Sequence, residues 1–232
     1  MLHRPPSLLG VAALAAFLGV SSAAFAALST AQVKRIEEAA QVLTEIHAVP
    51  DKDVPLELWQ RAACVIVVPS VKKAAFVVGG EYGKGLMSCR HNNAWGAPVF
   101  MEVGKGSWGL QLGAQSIDLV LLVMNETGAQ KLLKNKVSLG AEASVAGGPV
   151  GRDARAATDA QMKAEILSYS RTQGLFAGIN LSGGVVRPDV DGNVDLYGAG
   201  AVPATVVADP RITAPAATLP FMKALDREAA RP

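Results

Sequence analysis

The sequence predicts an α+β fold: an N-terminal amphipathic helix packed on a twisted, mostly antiparallel sheet or partial barrel, with a few short helices. Three observations carry this. Residues 30–48 repeat apolar side chains at helical spacing. After them come many short β-branched runs, separated by clusters of glycine, proline and lysine. Nowhere do strands and long helices alternate as a parallel βαβ sheet requires.

The first 26 residues read as an address rather than as structure. His3 and Arg4 make a weakly basic start, Leu8 to Val20 is apolar, and Ala24-Phe25-Ala26 is a small-x-small cleavage site. That is the pattern of a secretory signal peptide, and the apolar run is short for a membrane span. The expectation is an exported protein, periplasmic or secreted. The 232 residues carry a net charge of +2, and loss of Arg4 with the leader leaves about +1. Bulk charge therefore points away from nucleic acid. Any anion binding must come from local clustering.

Thr30 to Ala48 is the helix, with Val33, Ile36, Ala40, Leu43 and His47 in register and Ser29 or Thr30 as its cap. Leu56 to Ala62 reads as a short helix. The stretch from Ala62 to Arg90 reads as a three-strand meander: Ala63–Val68, Ala75–Val78 and Gly85–Arg90. Its connections, PSVKK and GGEYGK, hold Lys72, Lys73 and Lys84. In that meander Cys64 and Cys89 fall on next-but-one strands, roughly 10 Å apart at about 4.8 Å per strand, too far for a bridge. Two free buried thiols are expected. Val99–Val103, Ile117–Met124, Val137–Val145 and a hairpin over 165–182 complete the strands. Asn125 caps a short helix. Residues 201–217 are Ala/Pro-rich and expected to be extended, and 219–230 could close in a short helix.

Several motifs tempt. Gly104-Lys105-Gly106-Ser107-Trp108-Gly109 matches a nucleotide fingerprint, but alternation rather than a helix follows it, so no phosphate-binding helix start is expected. Asp189, Asp191, Asn193 and Asp195 space like the start of a calcium loop. Val194 stands where that loop needs glycine and Gly200 where it needs glutamate, so a capping turn is expected. Only His47 and His91 remain after the leader, and no Cys/His set has metal spacing. The sequence points to no catalytic set, no metal and no cofactor.

Four long phrases then stand out: PSVKKAAFVVGGEYGKG, WGAPVFMEVGKGSWGLQLGAQSIDLVLLVMN, KVSLGAEASVAGGPVGR and AEILSYSRTQGLFAGINLSGG. In order and spacing, from about Leu43 to Gly198, they resemble the SYLF domain family. With the leader (1–26) and the Ala/Pro-rich tail (201–232) set apart by their composition, the resemblance makes 27–200 a SYLF-like domain. It implies a lipid-binding module without enzymatic activity. Eukaryotic members look like phosphoinositide binders, some associated with actin and the endocytic machinery. Their N-terminal amphipathic segment and basic surface are held to meet the membrane. Carried over by position, this implies Lys34 and Arg35 on the helix and Lys72, Lys73 and Lys84 after it. With a signal peptide, the expected partner is an anionic phospholipid of the envelope, such as phosphatidylglycerol, cardiolipin or lipid A. The alternatives are an envelope structural protein docking a protein partner and a hydrolase with an unrecognised carboxylate pair.

Overall fold

A computed structural model describes residues 27–46, 53–75, 78–92, 94–108, 113–151, 161, 163–172 and 175–230. The leader and His47 lie outside them. Helix α1 spans Thr30–Glu45 and starts on a capping box: the Gln32 amide donates to the Ser29 hydroxyl, while the Gln32 side chain accepts from the Ser29 amide. It buries Ile36, Ala39, Val42 and Leu43. Helix α2, Leu56–Arg61, sets Trp59 fully inside.

The meander expected over 63–90 is corrected. Two long strands, β1 (Cys64–Ala75) and β2 (Val78–His91), pair directly. Pro69 does not end β1. The strand passes it through a bulge at 68–71, where Ser70 takes φ +53° and its amide donates to Asp118 Oδ1 at 2.9 Å. Asp118 also accepts from Arg171, which pairs with Glu45 of α1. PSVKK is thus a kink inside a strand, and GGEYGK is strand throughout.

The expectation of free thiols falls with the meander. Cys64 and Cys89 are register partners with Cα atoms 3.9 Å apart, and they form a disulfide. The Arg90 amide donates to the Ala63 carbonyl beside them at 2.8 Å, which makes theirs a non-hydrogen-bonded pair, where facing side chains approach closest.

The remaining elements follow in order: β3 (Ala94–Trp95), β4 (Val99–Trp108), β5 (Gly113–Val123), α3 (Glu126–Lys134), β6 (Val137–Ser138), β7 (Val145–Gly147), β8 (Ile166–Thr172), β9 (Leu175–Gly178), β10 (Gly184–Pro188), α4 (Val190–Tyr197), α5 (Pro203–Ala208) and α6 (Leu219–Ala229). Asn125 caps α3 through the Gly128 amide. Two further expectations are corrected. Val137–Val145 is not one strand, because Gly140 at φ +87° turns the chain and Glu142 accepts from the Ser138 amide. Residues 201–217 are not simply extended: Pro203 starts α5, where a missing N–H leaves no helical bond unmade.

The sheet order is β6-β10-β4-β2-β1-β5-β8-β7, with β3 on β2 and β9 on β8. Among the described strands only β7 and β8 run parallel. The fold is α+β, as the sequence predicts. Both faces are covered. On the first, Val65, Val67, Leu86, Phe100, Val120 and Tyr169 meet α1, α2 and α6. On the second, Ile66, Val68, Met87, Met101, Leu119 and Leu121 meet α3 and α5. Cover on both sides explains the unbroken apolar runs in β1 and β5.

Candidate anion-binding surface

Beyond the reach of α1, the first face of the sheet turns polar. Residues two apart on a strand share a face, so β2 carries Leu86, Lys84 and Tyr82 in line, and β4 carries Phe100, Glu102 and Gly104. Register sets Arg187, Glu102 and Lys84 in one row across β10, β4 and β2. The next row holds Val185, Gly104, Tyr82 and Lys72.

The first row is a closed charge cluster. Lys84 Nζ donates to Asp189 Oδ2 at 2.8 Å and lies 2.9 Å from Glu102 Oε1. Arg187 Nε and Nη2 both reach Glu102 Oε2 at 2.7 Å, and the Tyr82 hydroxyl donates to Oε1 at 3.0 Å. Burial alone would raise the Glu102 carboxyl, but these bonds together outweigh it and hold its pKa below the usual value. Burial likewise works against the Lys84 charge and is outweighed by Asp189 and Glu102, which keep the ammonium protonated. Burial, then the bond to Glu102, raises the Tyr82 phenol.

Asp189 also caps α4 through the Gly192 amide at 3.3 Å. Asn193 fixes the same helix to β4: its Oδ1 accepts from the Phe100 amide and its Nδ2 donates to the Phe100 carbonyl, each at 2.8 Å. Asp195 accepts from Gln32 of α1 at 2.8 Å. The calcium-like spacing therefore lies in a helix cap and helix, not a turn. Among the described residues no group of three or more His, Cys, Asp or Glu could hold a metal ion.

Beside the cluster lies a basin of about 270 Å³, lined among others by Tyr82, Gly104, Gly106, Lys136, Gly183 and Arg187. Its walls are basic and aromatic, with the Glu102 carboxylate, engaged by Lys84 and Arg187, lining it as well, and its floor is bare strand backbone. A second, larger groove of about 480 Å³ runs between α3 and α5 over the disulfide. His91 helps close it by pinning α5 through a 2.5 Å contact to the Val207 carbonyl.

The five lysine and arginine positions expected from sequence are scattered unequally. Lys72 is exposed and faces Tyr82 in register. Lys73 pairs with Glu81 along the backbone, and its side chain lies outside the description. Lys84 is held in the charge cluster. Arg35 lies over the Phe100 ring at 5.8 Å, next along β4 to Glu102. Lys34 points to solvent, with its Nζ 3.6 Å from Glu38. Sequence reasoning missed Arg187, Lys136, Glu102 and Tyr82. The one local signal was the Gly104-x-Gly106 pair, which sets two bare positions on one face.

The chain matches the family model Ysc84, described as Las17-binding protein actin regulator, over residues 104–228, more than half of its length. An SH3 domain-containing protein of Schizosaccharomyces pombe is 33% identical over 165 residues, covering 69% of this chain and 38% of that one. LAS seventeen-binding protein 3 of Saccharomyces cerevisiae is 27% identical over 183 residues, 77% of this chain and 39% of that one. The SH3 domain-containing YSC84-like protein 1 of Xenopus laevis is 30% identical over 168 residues, 69% of this chain and 50% of that one. The chain thus spans half or less of the length of these relatives.

Proposed function

The chain belongs to the Ysc84 (SYLF) family, and on that premise we propose that it is a non-catalytic module that binds anionic phospholipid surfaces outside the cytoplasm. The observation that carries this reading is the imbalance on the first face of the sheet. Lys72, Lys136 and Arg187 are exposed there, while the buried acids among them, Glu102 and Asp189, are already engaged by Lys84 and Arg187. A cationic surplus with a half-exposed tyrosine beside it suits an anionic headgroup layer. The disulfide supports an exported location, because such bonds persist in oxidising compartments.

Vesicle binding tests the reading. Oxidised protein should bind phosphatidylglycerol or cardiolipin vesicles at low salt and phosphatidylcholine vesicles far less. Each basic group near such a surface contributes about 1 kcal/mol, so Lys72→Ala should weaken binding about fivefold. The gap should close in 1 M salt, where the Debye length is about 3 Å. Equal binding to neutral and anionic vesicles would sink the proposal. Capture of a protein partner without lipid would favour the docking alternative, in line with the name of the yeast relative.

A further inference from the structure

Gly104 and Gly106 occupy alternate positions of β4 on the face that carries Glu102. Neither has a positive φ. A Cβ on Gly104 would meet only the Glu81 carbonyl at 3.8 Å, and one on Gly106 would meet nothing within 4 Å. Internal packing therefore gives no reason for glycine, although glycine inside a strand is destabilising relative to alanine. Strand glycines often mark a bulge, a bend or a close approach by a ligand or another backbone, and β4 keeps an unbroken register with β2 and β10 here. Gly183, across the basin, is needed for its own conformation at φ +79°, and its outer side is also open.

The rim supplies the chemistry. Glu102 holds Arg187 by Nε and Nη2, which fixes the guanidinium and leaves Nη1 beyond that bond. The Arg187 side chain is 57% exposed. Lys136 is exposed and makes no ion pair among the described residues. At about 270 Å³ the basin falls just under the roughly 300–1,000 Å³ of ligand pockets, so it suits a headgroup rather than an acyl chain.

We propose that this basin is a phosphate-ester site. Arg187 and Lys136 take the phosphoryl oxygens above the bare backbone of Gly104 and Gly106, and the Tyr82 ring walls one side. The proposal rests on the lipid-surface reading and assigns the headgroup phosphate a place within it. The fixed guanidinium presents its outer Nη1 edge to phosphate, and the flexible lysine adds charge.

The test uses oxidised full-length protein, two soluble probes (inorganic phosphate and sn-glycerol 3-phosphate) and phosphatidylglycerol vesicles. The key variant is Gly106→Val, which projects into the basin, has open space at its Cβ and suits a strand. Arg187→Gln is the second. In the parent, titration with either probe should move the amide resonances of Gly104, Gly106 and Lys136. Both variants should bind glycerol phosphate at least tenfold more weakly, with the Gly106→Val melting temperature not lowered. A folded Gly106→Val protein that titrates like the parent overturns the proposal, as do basin amides that stay still in the parent. Vesicle binding with still amides would leave the surface reading standing and remove the basin from it. Glycerol phosphate binding that Gly106→Val abolishes, without vesicle binding, would keep the basin as a site for free phosphate esters and remove the surface reading.

Discussion

Opening the Cys64–Cys89 bridge gives the sharpest measure of how this sheet is held. The two cysteines are 25 residues apart, and both are almost fully buried. The cross-link restricts the unfolded chain, and the loop-entropy relation for 25 residues gives about 3.5 kcal/mol at 25 °C. The folded state should change little on reduction. β1 remains paired with β2 on one side and with β5 on the other, from Cys64↔Val123 to Ala75↔Gly113. Guanidinium denaturation of oxidised and reduced protein should therefore differ by about 3.5 kcal/mol. The reduced form should show the steeper denaturant dependence, because its unfolded state exposes more surface. At about 2–4 °C per kcal/mol for a chain of this size, the melting temperature should fall by roughly 7–14 °C. Cys64→Ala/Cys89→Ala should lose at least as much, because it also removes buried sulfur. A difference under 1 kcal/mol would refute the entropic reasoning. Two thiols titrating in denatured, unreduced protein would refute the bridge itself.

Two further outcomes concern the charge cluster and the strand crossing. Lys84→Ala strips the shared cation from two buried carboxylates and should destabilise the protein by about 3–5 kcal/mol in denaturant melts at pH 7. In the parent, the lowered Glu102 pKa contributes stability that is present above the ordinary value of 4.5 and lost as pH falls through the folded pKa. Melts from pH 7 to pH 3 should show that acid-side loss, and Lys84→Ala should flatten it; an unchanged slope would count against the cluster. Gly85→Ala would set a Cβ 2.0 Å from the Val67 carbonyl oxygen, against backbone that cannot swing away. It should cost about 1–3 kcal/mol, whereas Gly80→Ala, with only the Lys105 carbonyl at 3.8 Å, should stay within about 0.5 kcal/mol. Equal melting temperatures for the two variants would show that the strands yield at Gly85.

Local signals were legible where the cause is local. The capping box of α1 and its apolar period are written within a few residues, so its start and face read correctly. Pro69 and Gly79-Gly80 carry the local signature of turns. Here the bulge at Ser70 depends on Asp118, 48 residues away, which no local pattern announces. That signature also displaced the cysteines. The run from Asp189 to Asp195 read as a turn because its helix is secured from outside, by Lys84 and by the backbone of Phe100. The candidate site was legible only in part. Lys72 and Lys84 stand out as basic residues in segments rich in turn residues, PSVKK and GGEYGK. Arg187 and Glu102 meet through strand register over a separation of 85 residues, and register between distant strands is set by the whole sheet.

The first and last helices share one cluster, in which Ile36 and Leu43 of α1 lie with Phe221 and Leu225 of α6. The hairpin of β1 and β2 can zip early, since its partners are near in sequence. The layer above it cannot close until the final helix arrives. A chain emerging N-terminus first thus keeps a solvent-exposed apolar seam for almost its whole synthesis. Such a seam exposes the protein to aggregation if release is slow. A stop before Leu219 would remove the helix that packs on α1, and the shortened chain should accumulate as insoluble material rather than as a smaller folded domain.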